Sequence, residues 1–274
     1  MAVEFNQQKL ESALQKGRKF VYLPFSLHIF SSVASTNRTL WELIDQGAGV
    51  GSVVIATQQT AGRGQWGRQW VSPTGGLYVS VAITPKIAAT ASYQLTLASA
   101  WGIVSQLRQA GVDVGIKWPN DLVLEGRKLG GILTETKIKV GKISQAVVGV
   151  GINWANPVPE TGINLESWQT QQVDKPISCL ETLTSKVLLG IESGLACLFQ
   201  EGIDILLSRY CELLVNMGDR VNVNDLAGVV VGVTPQGDLR VSLKTDGITD
   251  IKTSELFLEP GTISLGYRRS LGTY

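Results

Sequence analysis

The sequence predicts an α+β protein: a mixed β-sheet flanked by helices, followed by a small C-terminal β-barrel of SH3-like size. Runs of β-branched residues such as SVVIAT, residues 52–57, are typical of buried strands. Segments with apolar residues at helical spacing lie between several of these runs. After Met217 the chain changes to short alternating strands separated by turn residues. We therefore expect two domains, residues 1–216 and residues 217–274.

The pattern of the first part predicts each element in turn. An amphipathic helix over Phe5–Lys16 ends at Gly17, and SLHIF forms a strand. Ser35, Thr36 and Asn37 lead into a helix that stops at Gly47. Further strands are expected at residues 52–57, 77–84, 115–118, 122–125, 130–139 and 144–154, with a long helix at 92–111 and two more between 178 and 215. The turns EGRK and KVGK join three of the strands.

The C-terminal part predicts only short strands. Turn residues occur at Asp225–Gly228, Gln236–Gly237 and Asp246–Gly247. This spacing is typical of a small barrel.

Composition excludes several classes of function. The chain of 274 residues carries 24 basic and 23 acidic residues, so any anion site must be built locally. A single histidine, His28, excludes multi-histidine metal sites, and Cys179, Cys197 and Cys211 have no CxxC spacing, so we expect them to be buried thiols. The N-terminus lacks the features of a signal peptide and no long apolar run suggests a membrane span, which favours a cytoplasmic protein.

The loop GRGQWGRQW, residues 62–70, combines three glycines, two arginines and two tryptophans. Glycine lets the backbone approach a ligand closely, and Arg63 and Arg68 carry planar forks that suit carboxylate or phosphate oxygens. The loop is therefore a candidate anion site; the alternative is a flexible surface loop whose tryptophans tuck into the core. It is not a P-loop, and the absence of a following helix argues against a dinucleotide fold.

Two further stretches place polar groups at strand ends. In Lys117–Asp121 a proline fixes Asn120 and Asp121 behind a strand, and Lys128 precedes a glycine pair. In the strand Val148–Trp154 every second residue is glycine, which leaves one face open to a flat ligand. The alternatives are a capped turn with a solvated lysine, and a strand packed tightly under a helix.

Together and in this order, these features resemble the biotin protein ligase family. The resemblance covers residues 30–155 and rests on five motifs: STN at 35–37, Gln59 before AGRGQWGRQW, KWPNDL at 117–122, RKLGGILTE at 127–135 and GVGIN at 149–153. It implies a class II synthetase-like catalytic fold, residues 1–216, that binds biotin and ATP. It also implies a ligase of the type without an N-terminal DNA-binding domain, which would not bind DNA or membranes. A homodimer is compatible with it.

The family's reaction has two steps. The biotin carboxylate attacks the α-phosphate of ATP, with Mg²⁺, to give biotinyl-5′-AMP and pyrophosphate. An acceptor lysine of the biotin carboxyl carrier protein of acetyl-CoA carboxylase then attacks the mixed anhydride, and AMP leaves. The resemblance implies no nucleophile from the protein, only cations that offset the repulsion between two anions.

The resemblance also assigns residues to roles. Arg63 and Lys128 are implied as the catalytic cations. The implied biotin-binding residues are Ser35, Thr36, Asn37, Gln59, Arg63, Gly64, Gln65, Trp70, Lys128 and Gly131. The implied ATP and adenylate contacts are Arg63, Arg68, Trp70, Asn120, Asp121, Lys128 and Asn153, with Asp121 as the metal ligand.

The chain departs from the family at Gln65 and Trp66, where basic residues are usual. Fewer charges would then hold the adenylate. A lipoate or octanoate protein ligase of the related fold is the nearest alternative, although its ligand has no ureido group. A single-stranded nucleic-acid-binding protein, which the neutral net charge disfavours, and a module that only sequesters biotin are the others.

Overall fold

A seven-stranded mixed sheet forms the centre of the computed structural model, which describes residues 5–18, 20–223, 226–243 and 254–267. The helices are α1 Gln7–Gly17, α2 Thr36–Asp45, α3 Tyr93–Gln109, α4 Leu165–Gln169, α5 Leu180–Ala196 and α6 Ile203–Leu213. The strands of the first sheet are β1 Ser26–Phe30, β2 Ser52–Ala56, β3 Leu77–Ile83, β4 Gly115–Lys117, β5 Asp121–Leu124, β6 Arg127–Lys139 and β7 Lys142–Ile152.

The strand order is β1-β2-β3-β7-β6-β5-β4. Strands β1 and β2 are parallel and all other neighbours are antiparallel. The mixed sheet confirms the predicted fold class.

The two faces of the sheet bury different helices. Strand residues alternate between the faces, so Val53 and Ile55 join the main core with α3 and α5, whereas Val54 packs against α2. Helices α3 and α5 cross closely because a Cβ atom on Gly102 would clash with the backbone of α5. The segment Leu180–Glu201 is long and apolar enough to cross a membrane, but 78% of its most apolar stretch is buried, as in the core helix of a soluble protein.

The C-terminal strands form a second, antiparallel sheet in the order β11-β10-β9-β8. Its strands are β8 Arg220–Val223, β9 Leu226–Val233, β10 Leu239–Leu243 and β11 Ser254–Leu258. This sheet confirms the predicted small β-domain. Its buried side chains, among them Val230 and Leu239, belong to the same apolar cluster as the first sheet. The boundary at residue 216 stays a prediction.

Most predicted elements agree with the structure, and the differences are local. Helix α2 begins at Thr36, two residues before the predicted pattern, and α4 was not predicted because it has only five residues. The turn predicted at Asp225–Gly228 is wrong from Leu226 onward, because Leu226 already pairs with Val223. Asp225 and the turn predicted at 246–247 lie outside the described residues.

The predicted turn at Gln236–Gly237 is confirmed between β9 and β10, and it attaches the second sheet to the first domain. The carbonyl oxygen of Gly237 accepts a 2.8 Å hydrogen bond from the buried Trp118 indole. The Tyr93 ring packs directly against Gly237, where a side chain would clash.

The three cysteines are free thiols. Cys197 is buried as expected, whereas Cys179 and Cys211 are only half-buried.

Candidate active site

A cavity of about 280 Å³ opens where the loop of residues 62–70 and the C-terminal segment Gly261–Tyr267 meet the middle strands of the first sheet. It collects nearly every site residue expected from the sequence. The predicted residues that line it are Ser35, Thr36, Asn37, Gln59, Arg63, Gly64, Gln65, Arg68, Trp70, Asn120, Asp121, Lys128 and Gly131. These residues are separated by up to 96 positions in the chain, so only the fold brings them together.

One side of the cavity is a network of uncharged polar groups, which we call the neutral cluster: Ser35, Thr36, Asn37, Gln59, Ser72 and Ser80. Gln59 Oε1 accepts from the Thr36 backbone N–H at 2.8 Å, and Gln59 Nε2 donates to Ser72 Oγ at 2.9 Å. Ser80 Oγ lies 2.8 Å from Thr36 Oγ1. Because these buried groups satisfy one another, the cluster holds a fixed pattern of donors and acceptors.

Ser35 stands at the N-terminal cap of α2, and within the described chain its side chain makes no capping hydrogen bond. The residue is 4% exposed and lines the cavity. Its hydroxyl group is therefore free to bond a ligand.

The glycine face of β7 is covered by two of the predicted site residues. A side chain at Gly149 would clash with the Asn37 amide, and a Cβ atom at Gly151 would lie 2.5 Å from Trp70 Nε1. Among the described residues, the buried Trp70 Nε1 has no hydrogen-bond partner. The face that the sequence predicted to be open thus admits a flat indole ring, and the cavity continues beside it.

The Gly/Arg loop is a narrow hairpin rather than a loop tucked into the core. Gly64 N–H donates to the Arg68 carbonyl oxygen at 2.7 Å, and Trp70 N–H donates to Gly62 at 3.0 Å. Trp66, at the tip, has a φ of 54° and is 51% exposed. The Arg68 guanidinium lies 5.5 Å from its ring, so the charge stacks on the aromatic face.

Arg63 points from this hairpin toward β6. Its Nη2 atom lies 2.9 Å from Glu135 Oε2, and the Asn37 amide donates to the same oxygen at 2.8 Å. The Arg63 side chain is 47% exposed. The pair is therefore a modest one, which an incoming anion can replace at small cost.

The opposite side of the cavity is charged, and we call Arg63, Arg68, Lys117, Asp121 and Lys128 the charged cluster. Lys128 Nζ lies 2.6 Å from Asp121 Oδ1 and 5.1 Å from the centre of the Trp70 ring. Four cations and one carboxylate are among the described residues that line the cavity. A chain of near-neutral net charge thereby builds a locally positive site.

Lys117 and Tyr267 complete the charged side, and the sequence did not assign either a role. Lys117 Nζ lies 4.3 Å from the centre of the Tyr267 ring. Burial lowers the pKa of Lys117, and the nearby Asp121 carboxylate opposes that shift. Burial raises the pKa of Tyr267 well above its usual value, and the charge of Asp121 adds to the effect, so its hydroxyl group remains a donor.

The two predicted asparagines differ in position. Asn120 lines the cavity and donates to the Ile132 carbonyl oxygen at 2.7 Å. Asn153 does not line it: its amide nitrogen lies 3.3 Å from the Lys128 carbonyl oxygen, and its Oδ1 accepts from Asn156. The structure thus places Asn153 behind Lys128, where it supports the backbone of that residue.

The described residues contain no group of three or more His, Cys, Asp or Glu side chains that could hold a metal ion. Asp121, the predicted metal ligand, already binds Lys128 and the Tyr267 hydroxyl group. A magnesium ion would have to obtain most of its oxygen ligands from a bound phosphate group and water.

Sequence reasoning missed Lys117, Glu135, Ser80 and Tyr267 as members of the site. Lys117 and Glu135 lie inside quoted motifs, so their neighbours were the available signal. Tyr267 follows the last described strand by nine positions and carries no pattern of its own. Only the folded chain brings it to Asp121.

Comparison with known proteins agrees with this geometry. Residues 29–153 match the Biotin/lipoate A/B protein ligase family. The bifunctional ligase/repressor BirA of Escherichia coli is 34% identical over 229 residues, which are 81% of this chain and 70% of that protein.

The chain belongs to the biotin/lipoate A/B protein ligase family.

This family member also matches the bifunctional ligase/repressor BirA of Bacillus subtilis, 37% identical over 135 residues. The match spans 48% of this chain and 42% of the length of that relative. The biotin protein ligase of Aquifex aeolicus, solved with biotin and ATP, has the same fold, with a TM-score of 0.68 and 23% identity. That likeness covers 89% of this chain and 99% of the Aquifex chain.

Proposed function

We propose that the protein is an ATP-dependent biotin protein ligase. It activates biotin as biotinyl-5′-AMP and transfers biotin to a lysine of the biotin carboxyl carrier protein of acetyl-CoA carboxylase. The observation that carries this proposal is that one cavity joins the neutral cluster to the charged cluster. Such a cavity suits a ligand with an uncharged hydrogen-bonding ring at one end and a carboxylate at the other.

The neutral cluster suits the ureido ring of biotin. That ring presents two N–H donors and one carbonyl acceptor in a rigid plane, and Ser35, Thr36 and Gln59 offer hydroxyl and amide groups to match them. The apolar part of biotin would lie along Trp70 and the glycine face of β7. Since buried polar groups are left unpaired by a ligand without the ureido group, the cluster discriminates against lipoate.

The charged cluster suits the chemical step. A carboxylate and a triphosphate repel each other, and the transition state spreads further negative charge over the α-phosphate. We assign Arg63 and Lys128 to the carboxylate and α-phosphate oxygens, and Arg68 to the departing pyrophosphate. Charge-assisted hydrogen bonds of this kind contribute roughly 1.5–3 kcal/mol each, and more where water is excluded.

Each cation is held by a side chain that competes with the substrate. Arg63 is paired with Glu135 and Lys128 with Asp121, so the lysine and the arginine are oriented before any anion arrives. Such preorganisation lowers the cost of aligning the reacting groups. Mg²⁺ enters with the phosphates of ATP, and Asp121 is the carboxylate nearest to Lys128 that could contact it.

Transfer of labelled biotin to a purified biotin carrier domain, with and without ATP, tests the proposal. We expect ATP-dependent labelling of one lysine, with release of AMP and pyrophosphate. Labelled lipoate and octanoate in parallel reactions test the alternative of the related fold. Transfer of lipoate but not biotin would overturn the proposal, and binding of biotin without pyrophosphate release would reduce the protein to a biotin-binding module.

A further inference from the structure

Tyr267 occupies the centre of the charged cluster, although it comes from the C-terminal end of the described chain. Its hydroxyl group donates to Asp121 Oδ2, and the other oxygen of the same carboxylate binds Lys128 at 2.6 Å. The face of its ring carries Lys117 Nζ at 4.3 Å. One neutral side chain thus contacts both the carboxylate that holds one lysine and the ammonium group of the other.

The segment that delivers Tyr267 is fixed independently of these contacts. A Cβ atom on Gly261 would lie 2.7 Å from the Trp66 ring, so the hairpin tip packs against the start of the segment. Ile263 and Leu265 pack against the main apolar core. Tyr267 is therefore held in place by packing rather than by the charges that it contacts.

The charge balance explains why a neutral hydrogen-bond donor suits this position. Lys117, Lys128 and Asp121 together leave one net positive charge for a substrate anion. A cation at position 267 would compete with Lys128 for Asp121, and an acid would repel Asp121 and neutralise a lysine. A tyrosine fixes the carboxylate and supports the second lysine without changing the net charge.

We propose that Tyr267 is a positioning residue for adenylate formation, acting through the Asp121–Lys128 pair with its hydroxyl group and through Lys117 with its ring. The proposal rests on the ligase function proposed above. It assigns the C-terminal segment a role in the chemical step, beyond covering the cavity.

Tyr267→Phe tests the hydroxyl contact. This variant keeps the ring under Lys117 and loses the donor to Asp121, so we expect the kcat of pyrophosphate release to fall about tenfold. The KM for biotin stays within about twofold, because the neutral cluster is untouched. Tyr267→Leu loses the ring as well and should lose more kcat than Tyr267→Phe.

Tyr22→Phe is the matched control, because Tyr22 stacks on Phe199 away from the cavity. It should behave as the wild type. An unchanged kcat in Tyr267→Phe, or a raised KM for ATP at unchanged kcat, would overturn the proposal. If the wild type itself releases no pyrophosphate with biotin and ATP, the ligase function fails and this proposal fails with it.

A second measurement does not depend on turnover. Lys117 is only 8% exposed, and Lys139 on the β6–β7 hairpin is exposed. We expect acetic anhydride to acetylate Lys117 slowly in the wild type and in Tyr267→Phe, and faster in Tyr267→Leu, with Lys139 as the internal standard. Equal acetylation of Lys117 in the wild type and Tyr267→Leu, read by mass spectrometry, would contradict the placement of the ring.

Discussion

The neutral and charged clusters line the same cavity but are built in opposite ways. In the neutral cluster, buried uncharged groups satisfy one another through short hydrogen bonds, as Gln59 does with Thr36 and Ser72. In the charged cluster, half-exposed cations are held by carboxylates and aromatic faces, as Lys128 is by Asp121 and Trp70. The first arrangement can recognise the shape of a ligand, and the second can offset charge as it develops.

The comparison predicts that substitutions in the two clusters change different kinetic constants. A change in the charged cluster should lower kcat, because its contacts strengthen in the transition state. A change in the neutral cluster should raise the KM for biotin, because its contacts are the same in the ground state and the transition state.

The largest effect is expected from Lys128→Gln. We expect the rate of adenylate formation to fall about 10²-fold or more, because an ammonium group aimed at the reacting oxygens is lost. The fold should remain, since the Lys128 side chain is 30% exposed and glutamine can still donate to Asp121. Pyrophosphate release measures the rate and a thermal melt measures stability. The exposed Lys139→Gln is the control; a Lys128→Gln enzyme with wild-type kcat would refute the division between the clusters.

An intermediate effect is expected from Gln59→Leu. The Thr36 N–H group loses its acceptor, and an unsatisfied buried group costs roughly 1–3 kcal/mol, or about tenfold in the KM for biotin. Isothermal titration with biotin and the kinetics of pyrophosphate release would measure it. The exposed Gln46→Leu at the end of α2 is the control. Loss of kcat with an unchanged KM would show that the neutral cluster takes part in the chemical step.

The smallest effect is expected from Gln65→Arg. Gln65 lies within 3.4 Å of the Tyr93 hydroxyl group and contributes no charge to the cavity. A partly exposed arginine there should slow the release of biotinyl-AMP by a few fold, consistent with about 1 kcal/mol or less for such a charge. Gln65→Met controls for loss of the Tyr93 contact. Release at the wild-type rate or faster in Gln65→Arg would count against the idea that the hairpin charge retains the intermediate.

Local signals predicted most of the fold and one part of the site well. Period-2 strands and the hairpin turns at 125–128 and 139–142 are short-range properties, and β5, β6 and β7 follow them closely. Ser35, Gln59 and Lys128 were found because they sit in motifs with fixed spacing. What the sequence could not show depends on long-range contact: Tyr267 meets Asp121 across 146 positions, and Glu135 meets Arg63 across 72.

Asn153 shows the opposite error. Its place at a strand end predicted a nucleotide contact, but the chain turns so that its amide meets the Lys128 carbonyl oxygen and Asn156. The end of a strand fixes where a side chain starts. The neighbouring segment decides which way its hydrogen bonds go.

The central claim is that cations of the Gly/Arg hairpin and of β6 bring two mutually repelling anions together. A crystal structure with biotin and a non-hydrolysable ATP analogue tests it most directly. We predict that the biotin carboxylate and the α-phosphate lie within hydrogen-bond distance of Arg63 and Lys128, with the ureido ring at Gln59 and Thr36. Both ligands bound away from Arg63 and Lys128 would contradict the account.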